Sequence, residues 1–130
     1  MEHSCALRVR SYECDSYGHV NNAVYLNYLE YARHQYLKDI DLSLEDLRAG
    51  GFAMLVVEIQ IRYRKPAKYD DELTIVTRPL KRLRLSGILN QRILRKNAEL
   101  AEAEVKWTCV DVHGRPVPLP VRYHREGLDP

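Results

Sequence analysis

The sequence predicts an α+β fold in which one antiparallel β-sheet wraps around a single long central α-helix. One stretch in the first third of the chain has helical content and is apolar around most of its circumference. Most of the chain after it alternates apolar and polar residues with the period of half-buried strands. A helix of this kind is normally buried, and an open β-sandwich with a surface helix would leave its tyrosines and leucines in water.

The first elements are a strand, a polar loop and the long helix. Apolar and basic side chains alternate near residues 5–10, which indicates a half-buried strand. A polar loop follows at residues 15–21, and residues 22–37 contain no glycine or proline, so we expect the helix there. Asn21 or Asn22 can supply the side-chain oxygen that caps its first unpaired amides.

The rest of the chain is expected to form one helical turn and four strands. The turn spans residues 43–48, where a Ser-x-x-Asp cap precedes a pair of glycines. The predicted strands are residues 55–63, 71–78, 83–94 and 101–109. We therefore predict a single domain over residues 1–121, followed by a loosely held C-terminal tail at residues 122–130.

Composition and missing signals exclude several classes of protein. A chain of 130 residues with a net charge of +2 fits one globular domain and does not indicate a nucleic-acid-binding protein. No secretory signal and no membrane-spanning run is visible, and three cysteines without CxxC spacing fit a cytoplasmic protein. Neither a paired Cys/His spacing nor a Gly-rich phosphate loop nor a Gly-x-Ser-x-Gly elbow is present, so no metal and no cofactor is expected.

The most informative motif lies where the polar loop enters the helix. Residues 15–25 read Asp-Ser-Tyr-Gly-His-Val-Asn-Asn-Ala-Val-Tyr. This motif resembles the active-site signature of hotdog-fold thioesterases, both the 4-hydroxybenzoyl-CoA thioesterase-like group and the acyl-acyl-carrier-protein thioesterases. The likeness continues through Glu-Tyr-Ala-Arg at 30–33, Tyr-Arg-Lys-Pro at 63–66 and Asp-Asp-Glu-Leu at 70–73. It implies a hotdog fold and hydrolysis of acyl-CoA or acyl-carrier-protein thioesters.

The resemblance implies an active site at the start of the helix. The free amides and partial positive charge of a helix start suit a developing oxyanion, and an amide near Asn22 is expected to bind it. Asp15 can attack the carbonyl directly or act as a general base on water, and the sequence leaves both routes open. An aspartate before a helix can also be a simple turn or capping residue.

Three further residues have alternative roles. His19 is a candidate catalytic residue, either as a second base or as a group that orients Asp15 or the substrate. The alternative is that His19 only makes a structural hydrogen bond. The two groups of relatives differ here, because the carrier-protein enzymes have Asn where this chain has Tyr17 and the benzoyl-type enzymes generally lack this histidine. Tyr25 lines the acyl pocket or belongs to the core. Glu58 faces the cleft of a neighbouring subunit or lies on the polar side of its strand.

A basic stretch is the candidate surface for the acyl carrier. Seven basic residues and no acidic residue lie between positions 78 and 96. Among them Lys81, Arg82 and Arg84 are expected to bind the substrate through the phosphates of CoA. The acidic surface of an acyl carrier protein is the other candidate, and a solvated strand face without a ligand is the third. Nucleic acid is not expected, because the stretch contains no aromatic residue to stack on bases.

The same residues bear on three rival functions and on the assembly of the protein. The dehydratase patterns His-x-x-x-Gly-His and Asp-x-Asn-Pro-x-His are absent. A hotdog domain that senses acyl-CoA and regulates transcription is not expected, because no segment is left for a DNA-binding helix-turn-helix. A non-catalytic acyl-CoA-binding domain stays open, because a site that binds a thioester resembles one that cleaves it. A single sheet leaves its edges unpaired, so we predict a homo-oligomer, a dimer or a dimer of dimers, with the site at the subunit interface.

Overall fold

The computed structural model describes residues 1–130, and its elements follow the predicted order. The strands are β1 His3–Arg8, β2 Ala53–Tyr63, β3 Glu72–Arg82, β4 Ser86–Arg95 and β5 Ala98–Val110. The helices are α1 Val24–Asp39 and α2 Leu44–Ala49, with short 3₁₀ turns at Ser11–Glu13, Val121–Tyr123 and Glu126–Leu128. Neither α-helix is long and apolar enough to cross a membrane. The predicted α+β class is confirmed.

The five strands form one sheet in the order β1-β3-β4-β5-β2, and every pair is antiparallel. The three inner strands present apolar side chains at alternate positions to the hydrophobic core under α1. Leu89 and Val105, which are paired across β4 and β5, are 5% and 0% exposed. Strands β1 and β2 form the edges of the sheet, so each has one side without a partner strand.

Asn21 orders the turn that leads into helix α1. Its side-chain Oδ1 accepts a hydrogen bond from Ala23 N at 2.9 Å, and its carbonyl accepts one from Val24 N at 2.9 Å. The residue at the N-cap position is Ala23, which no side-chain hydrogen bond caps, so the prediction that Asn21 or Asn22 caps the helix is wrong. The shorter helix α2 begins in the predicted way, since Ser43 Oγ accepts from Asp46 N at 3.1 Å.

The sheet covers only one face of α1. The buried side chains of the helix are Tyr25, Tyr28, Leu29, Ala32 and Tyr36. Leu26 and Tyr31 point away from the sheet and are 39% and 46% exposed. The expectation of burial around most of the circumference is therefore wrong for one chain, because one sheet can contact only one side of a helical cylinder.

Strand β2 departs from the predicted alternation. Its pairing with β5 shifts register between Val56 and Glu58, so a β-bulge at Val57 interrupts the period of two. Leu55, Val56 and Val57 are all 44% to 54% exposed. Three consecutive apolar residues are therefore accessible to solvent at one edge of the sheet.

The C-terminal segment is held more firmly than the sequence suggested. Tyr123 and Leu128 are 8% and 2% exposed and belong to the hydrophobic core. Tyr36 donates its hydroxyl hydrogen bond to the carbonyl of Gly127, and Arg125 Nε donates to the Asp41 carbonyl at 2.8 Å. The expected loosely held tail is thus wrong, because these aromatic and aliphatic side chains close the core beside α1 and α2.

Candidate active site

The loop before α1 orients the carboxylate of Asp15 with its own backbone. Asp15 N donates to the His19 carbonyl at 2.7 Å, and Gly18, with φ of 78°, lets the chain turn back. Asp15 Oδ1 accepts hydrogen bonds from Tyr17 N at 2.8 Å and from His19 N at 3.2 Å. One carboxylate oxygen is therefore fixed by the turn, and the other makes no hydrogen bond within the chain.

Contacts on both sides of the loop fix its position against the rest of the fold. Val20 N donates to the Ala67 carbonyl at 2.9 Å, and His19 forms a β-bridge with Lys68. Glu13 lies under the helix, where its Oε1 accepts from the hydroxyl of Tyr28 at 2.8 Å. Burial and this carboxylate raise the pKa of Tyr28 well above its ordinary value, so the phenol stays a proton donor.

The start of α1 presents an amide that no group of the chain uses. Asn21 accepts from the amides of Ala23 and Val24, whereas Asn22 N–H has no acceptor among the hydrogen bonds of the chain. The carbonyl of Asn22 is held in turn by the hydroxyl of Tyr63 at 2.9 Å. The partial positive charge of a helix start and a fixed free N–H are the features that an oxyanion needs.

Tyr25 forms a wall of the site and is also part of the core. It is 3% exposed, and its hydroxyl accepts a hydrogen bond from Ala67 N at 2.9 Å. Its ring packs edge-on against Tyr63 with centroids 5.1 Å apart. Burial raises the pKa of Tyr25, with the Ala67 hydrogen bond opposing that shift, so the side chain is a neutral phenol at pH 7.

Four sequence-predicted residues meet in one open depression of about 440 Å³. Asp15, His19, Asn22 and Tyr25 all line it. The remaining lining residues are Val20, Tyr63, Arg64, Lys65 and Pro66. No group of three or more histidine, cysteine, aspartate or glutamate side chains is arranged to hold a metal ion.

The Tyr-Arg-Lys-Pro segment at residues 63–66 closes the depression from the end of β2, and no role for it was predicted from the sequence. Its resemblance to the thioesterases was the sequence signal that could have indicated this role. Arg64 pairs with Glu99 at 2.8 Å and with Glu102 at 3.1 Å. Lys65 makes no ion pair, so it is the free cation at this depression.

The basic candidates Lys81, Arg82 and Arg84 do not line the depression. Lys81 and Arg84 are exposed near the connection between β3 and β4. The guanidinium of Arg82 stacks over the ring of Trp107 at 5.1 Å and pairs with Asp129 at 3.7 Å. The basic stretch is therefore not one uninterrupted cationic surface.

Comparison with known proteins gives the family. The family model described as thioesterase-like superfamily matches residues 9–126. The chain is 40% identical over 108 residues to the long-chain acyl-CoA thioesterase FadM of Escherichia coli, covering 82% of this chain and 81% of that protein. It is 30% identical over 126 residues to the chloroplastic acyl-acyl carrier protein thioesterase ATL3 of Arabidopsis thaliana, covering 91% of this chain and 63% of that one.

Solved structures agree with the sequence comparisons. The probable thioesterase YbaW of Escherichia coli superposes with a TM-score of 0.81 at 37% identity, covering 89% of each chain. A probable thioesterase from Bartonella henselae gives a TM-score of 0.87 at 28% identity, covering 92% of this chain and all of that one. The sheet with one central helix is thus the hotdog fold, and this chain belongs to the thioesterase-like superfamily.

Proposed function

We propose that this chain hydrolyses acyl-CoA or acyl-carrier-protein thioesters to a free acid and a thiol. The observation that carries the proposal is the shared depression of Asp15 and Asn22, in which a carboxylate oxygen and a helix-start amide are both free of partners in the chain. The kinship with FadM, named for acyl-CoA, and with ATL3, named for acyl-acyl carrier protein, supports both substrate classes.

In the proposed reaction, the thioester carbonyl oxygen binds Asn22 N–H, which stabilises negative charge as it develops there. Asp15 then acts by one of two routes. As a general base it takes a proton from water, whose oxygen bonds to the carbonyl carbon while the C–S bond breaks and the thiolate takes up a proton. As a nucleophile its carboxylate oxygen bonds to the carbonyl carbon while the C–S bond breaks and the thiolate leaves and takes up a proton, and water then hydrolyses the mixed anhydride to the free acid and the Asp15 carboxylate.

His19 and Tyr25 are proposed to position the acyl group. The amide of His19 already holds Asp15 Oδ1, and the residue lines the same depression. Its ring is therefore suited to orient water or substrate beside the carboxylate. Tyr25, a buried neutral phenol, supplies an apolar wall for the acyl chain.

Carrier binding is proposed to involve cations at two places. Lys65 is unpaired at the depression, and Lys81 and Arg84 are exposed near the connection of β3 and β4. Arg82 is expected to contribute less than these, because Trp107 and Asp129 already engage its guanidinium. Cations of this kind suit the phosphates of CoA as well as the acidic surface of a carrier protein.

A homo-oligomer is proposed from the apolar surface that one chain leaves open. The edge strand β2 exposes Leu55, Val56 and Val57, and α1 exposes Leu26 and Tyr31. Pairing two β2 edges would extend the sheet and cover these side chains. A dimer or dimer of dimers is expected in light scattering.

The three free cysteines support the further proposal of a reducing, cytoplasmic location.

The test is thiol release from short, long and aromatic acyl-CoAs and from acyl-carrier-protein thioesters, measured with wild type and Asp15→Asn in parallel. We expect wild type to cleave at least one thioester and the variant to lose about a hundredfold in kcat, because a base or nucleophile contributes on that scale. Asparagine can still accept both turn amides, so the variant removes charge and leaves the loop in place.

One result would contradict the role of Asp15, and another would contradict hydrolysis itself. Equal cleavage by Asp15→Asn and wild type would remove Asp15 from the chemistry and direct attention to His19 or Glu58. Tight binding of acyl-CoA without cleavage of any thioester would favour a non-catalytic acyl-CoA-binding domain.

A further inference from the structure

A second cavity of about 120 Å³ lies between the C-terminal half of α1 and the sheet, apart from the residues of the depression. Most of its lining is hydrophobic. Its apolar lining includes Leu37, Leu44, Met54, Leu89, Trp107 and Leu128. Arg33 of α1 also lines the cavity, together with Glu30 and His34. Arg33 therefore places a positive charge at the wall of a mostly apolar cavity.

The guanidinium of Arg33 is only partly satisfied within the chain. Its Nη1 donates one hydrogen bond, to Gln91 Oε1 at 3.1 Å. It takes part in none of the ion pairs of the structure. A guanidinium has five N–H donors, so most of its donor capacity is open. Burial lowers the pKa of Arg33, with the charge of Glu30 opposing that shift.

The one partner of Arg33 is rigidly oriented. Gln91 is fully buried, and its Nε2 donates to the Leu29 carbonyl at 3.1 Å and to Thr77 Oγ1 at 3.0 Å. With both donors directed into the fold, the amide oxygen of Gln91 is fixed toward Arg33. The guanidinium is thereby held in place beside the cavity before any ligand arrives.

A carboxylate is the group best suited to accept the hydrogen bonds that the Arg33 guanidinium leaves open. Arginine binds carboxylates through two parallel N–H···O bonds, and such bonds are stronger where water is excluded. The nearby Glu30 and His34 are exposed side chains of the same helix, so solvent screens their charges more than that of Arg33. The apolar walls would then enclose a short hydrocarbon chain.

We propose that this cavity is a second binding site, for a carboxylate carried on a short apolar chain, in which Arg33 holds the carboxylate. The acid released by thioester hydrolysis is of this chemical class. The site shares no residue with the depression that contains Asp15. Binding there can therefore be measured independently of the reaction, and the two proposals can fail separately.

The probe for this site is built into the chain, because its only tryptophan is Trp107, which lines the cavity. Tryptophan fluorescence is titrated with hexanoate and with 1-hexanol, which has the same chain without the charge. We expect saturable hexanoate binding at least about tenfold tighter than that of 1-hexanol, as a charged hydrogen bond implies. Arg33→Met should remove this preference, and Asp15→Asn should bind hexanoate as wild type does.

Met54→Phe is the second variant, because it narrows the cavity from β2 and leaves Arg33 unchanged. It should weaken hexanoate and 1-hexanol alike. The circular dichroism and melting temperature of each variant establish that it is folded. The proposal is overturned if wild type binds no hexanoate, if both ligands bind equally, or if folded Arg33→Met or folded Met54→Phe binds hexanoate as wild type does. Loss of hexanoate binding in Asp15→Asn also overturns it, by placing the acid in the depression.

Discussion

Two turns of the chain share one hydrogen-bond pattern, at residues 15–19 and at residues 111–115. In each turn the first amide donates to the fifth carbonyl, at 2.7 Å for Asp15 and at 3.0 Å for Asp111. In each, the aspartate Oδ1 accepts from the third and fifth amides, at 2.8 and 3.2 Å in the first turn and at 2.8 and 3.0 Å in the second. The fourth residue is a glycine with φ of 78° or 75°.

The surroundings of the two turns differ. The turn of Asp15 is bridged to Lys68 and leads directly into α1, so its carboxylate shares a depression with the free amide of Asn22. The turn of Asp111 follows the end of β5, where Val110 pairs with Pro116 and no helix begins. The same local geometry therefore stands beside a helix start in one place and only reverses the chain in the other, which is why the proposed chemistry is assigned to the turn of Asp15 alone.

The sharpest test of this comparison exchanges the carboxylate for an amide in each turn. Asp111→Asn is the matched control for Asp15→Asn, since both variants keep the Oδ1 acceptor and lose the charge. We expect kcat to fall about a hundredfold for Asp15→Asn and to change by less than about twofold for Asp111→Asn. A similar loss in both variants, seen by thiol release, would mean that the measured defect comes from the turn and not from the site.

The glycines of the two turns allow a second comparison. An added Cβ has no atom within 4 Å at Gly18 or at Gly114, so alanine at either position meets only backbone strain. We expect Gly18→Ala and Gly114→Ala to lower the free energy of unfolding by about 1–2 kcal/mol each. Only Gly18→Ala should also lower kcat/KM, by about tenfold, because it displaces Asp15. Denaturant unfolding and thiol release measure the two effects.

The side-chain hydrogen bonds before the two helices extend the comparison to the other half of the site. Asn21 Oδ1 accepts from Ala23 N in the turn before α1, and Ser43 Oγ caps α2 by accepting from Asp46 N. Asn21→Ala and Ser43→Ala should each cost about 1 kcal/mol in the free energy of unfolding. Only Asn21→Ala should also reduce kcat, since it loosens the amide of Asn22. Equal activity of the two variants in thiol release would argue against that amide as the oxyanion donor.

The smallest expected effect is a pH dependence at the second turn. The hydrogen bond from Arg115 N, with a further one from His113 N, holds the pKa of Asp111 below its ordinary value of 3.8. A lowered folded-state pKa stabilises the protein at a pH above the unfolded-state pKa of about 4, and this contribution is lost below that pH, as the pH falls through the lowered folded-state pKa. The difference in melting temperature between wild type and Asp111→Asn should therefore shrink over that range. A melting-temperature difference that stays constant with pH would contradict the lowered pKa of Asp111.

The local parts of the fold and site were the ones that the sequence could predict. The long helix, the Ser43 cap of the shorter helix and the four later strands are confirmed within a few residues, whereas the expected asparagine cap of the long helix is not found. The motif at residues 15–25 placed Asp15, His19 and Asn22 close together, since they lie within eight positions of one another. Their catalytic roles stay a prediction.

Other features depend on residues that are distant in the sequence. The bulge at Val57 exists only in the pairing of β2 with β5, and alternation alone could not reveal it. Leu128 is buried beside residues of α1, β2 and β5 that are distant from it in the sequence and line the same cavity. The guanidinium of Arg82 is engaged because Trp107 and Asp129 approach it from other parts of the chain.

The sequence by itself determined the elements, the Ser43 cap and the two aspartate turns, because hydrogen bonds within a few residues and the period of apolar side chains set these features. The tertiary structure decided which turn shares a depression with the free amide that precedes α1, which arginines are already paired and which cavity Arg33 lines. These outcomes depend on packing between distant segments, and the shared hydrogen bonds of the turns at Asp15 and Asp111 show that local bonding alone does not decide what surrounds a turn.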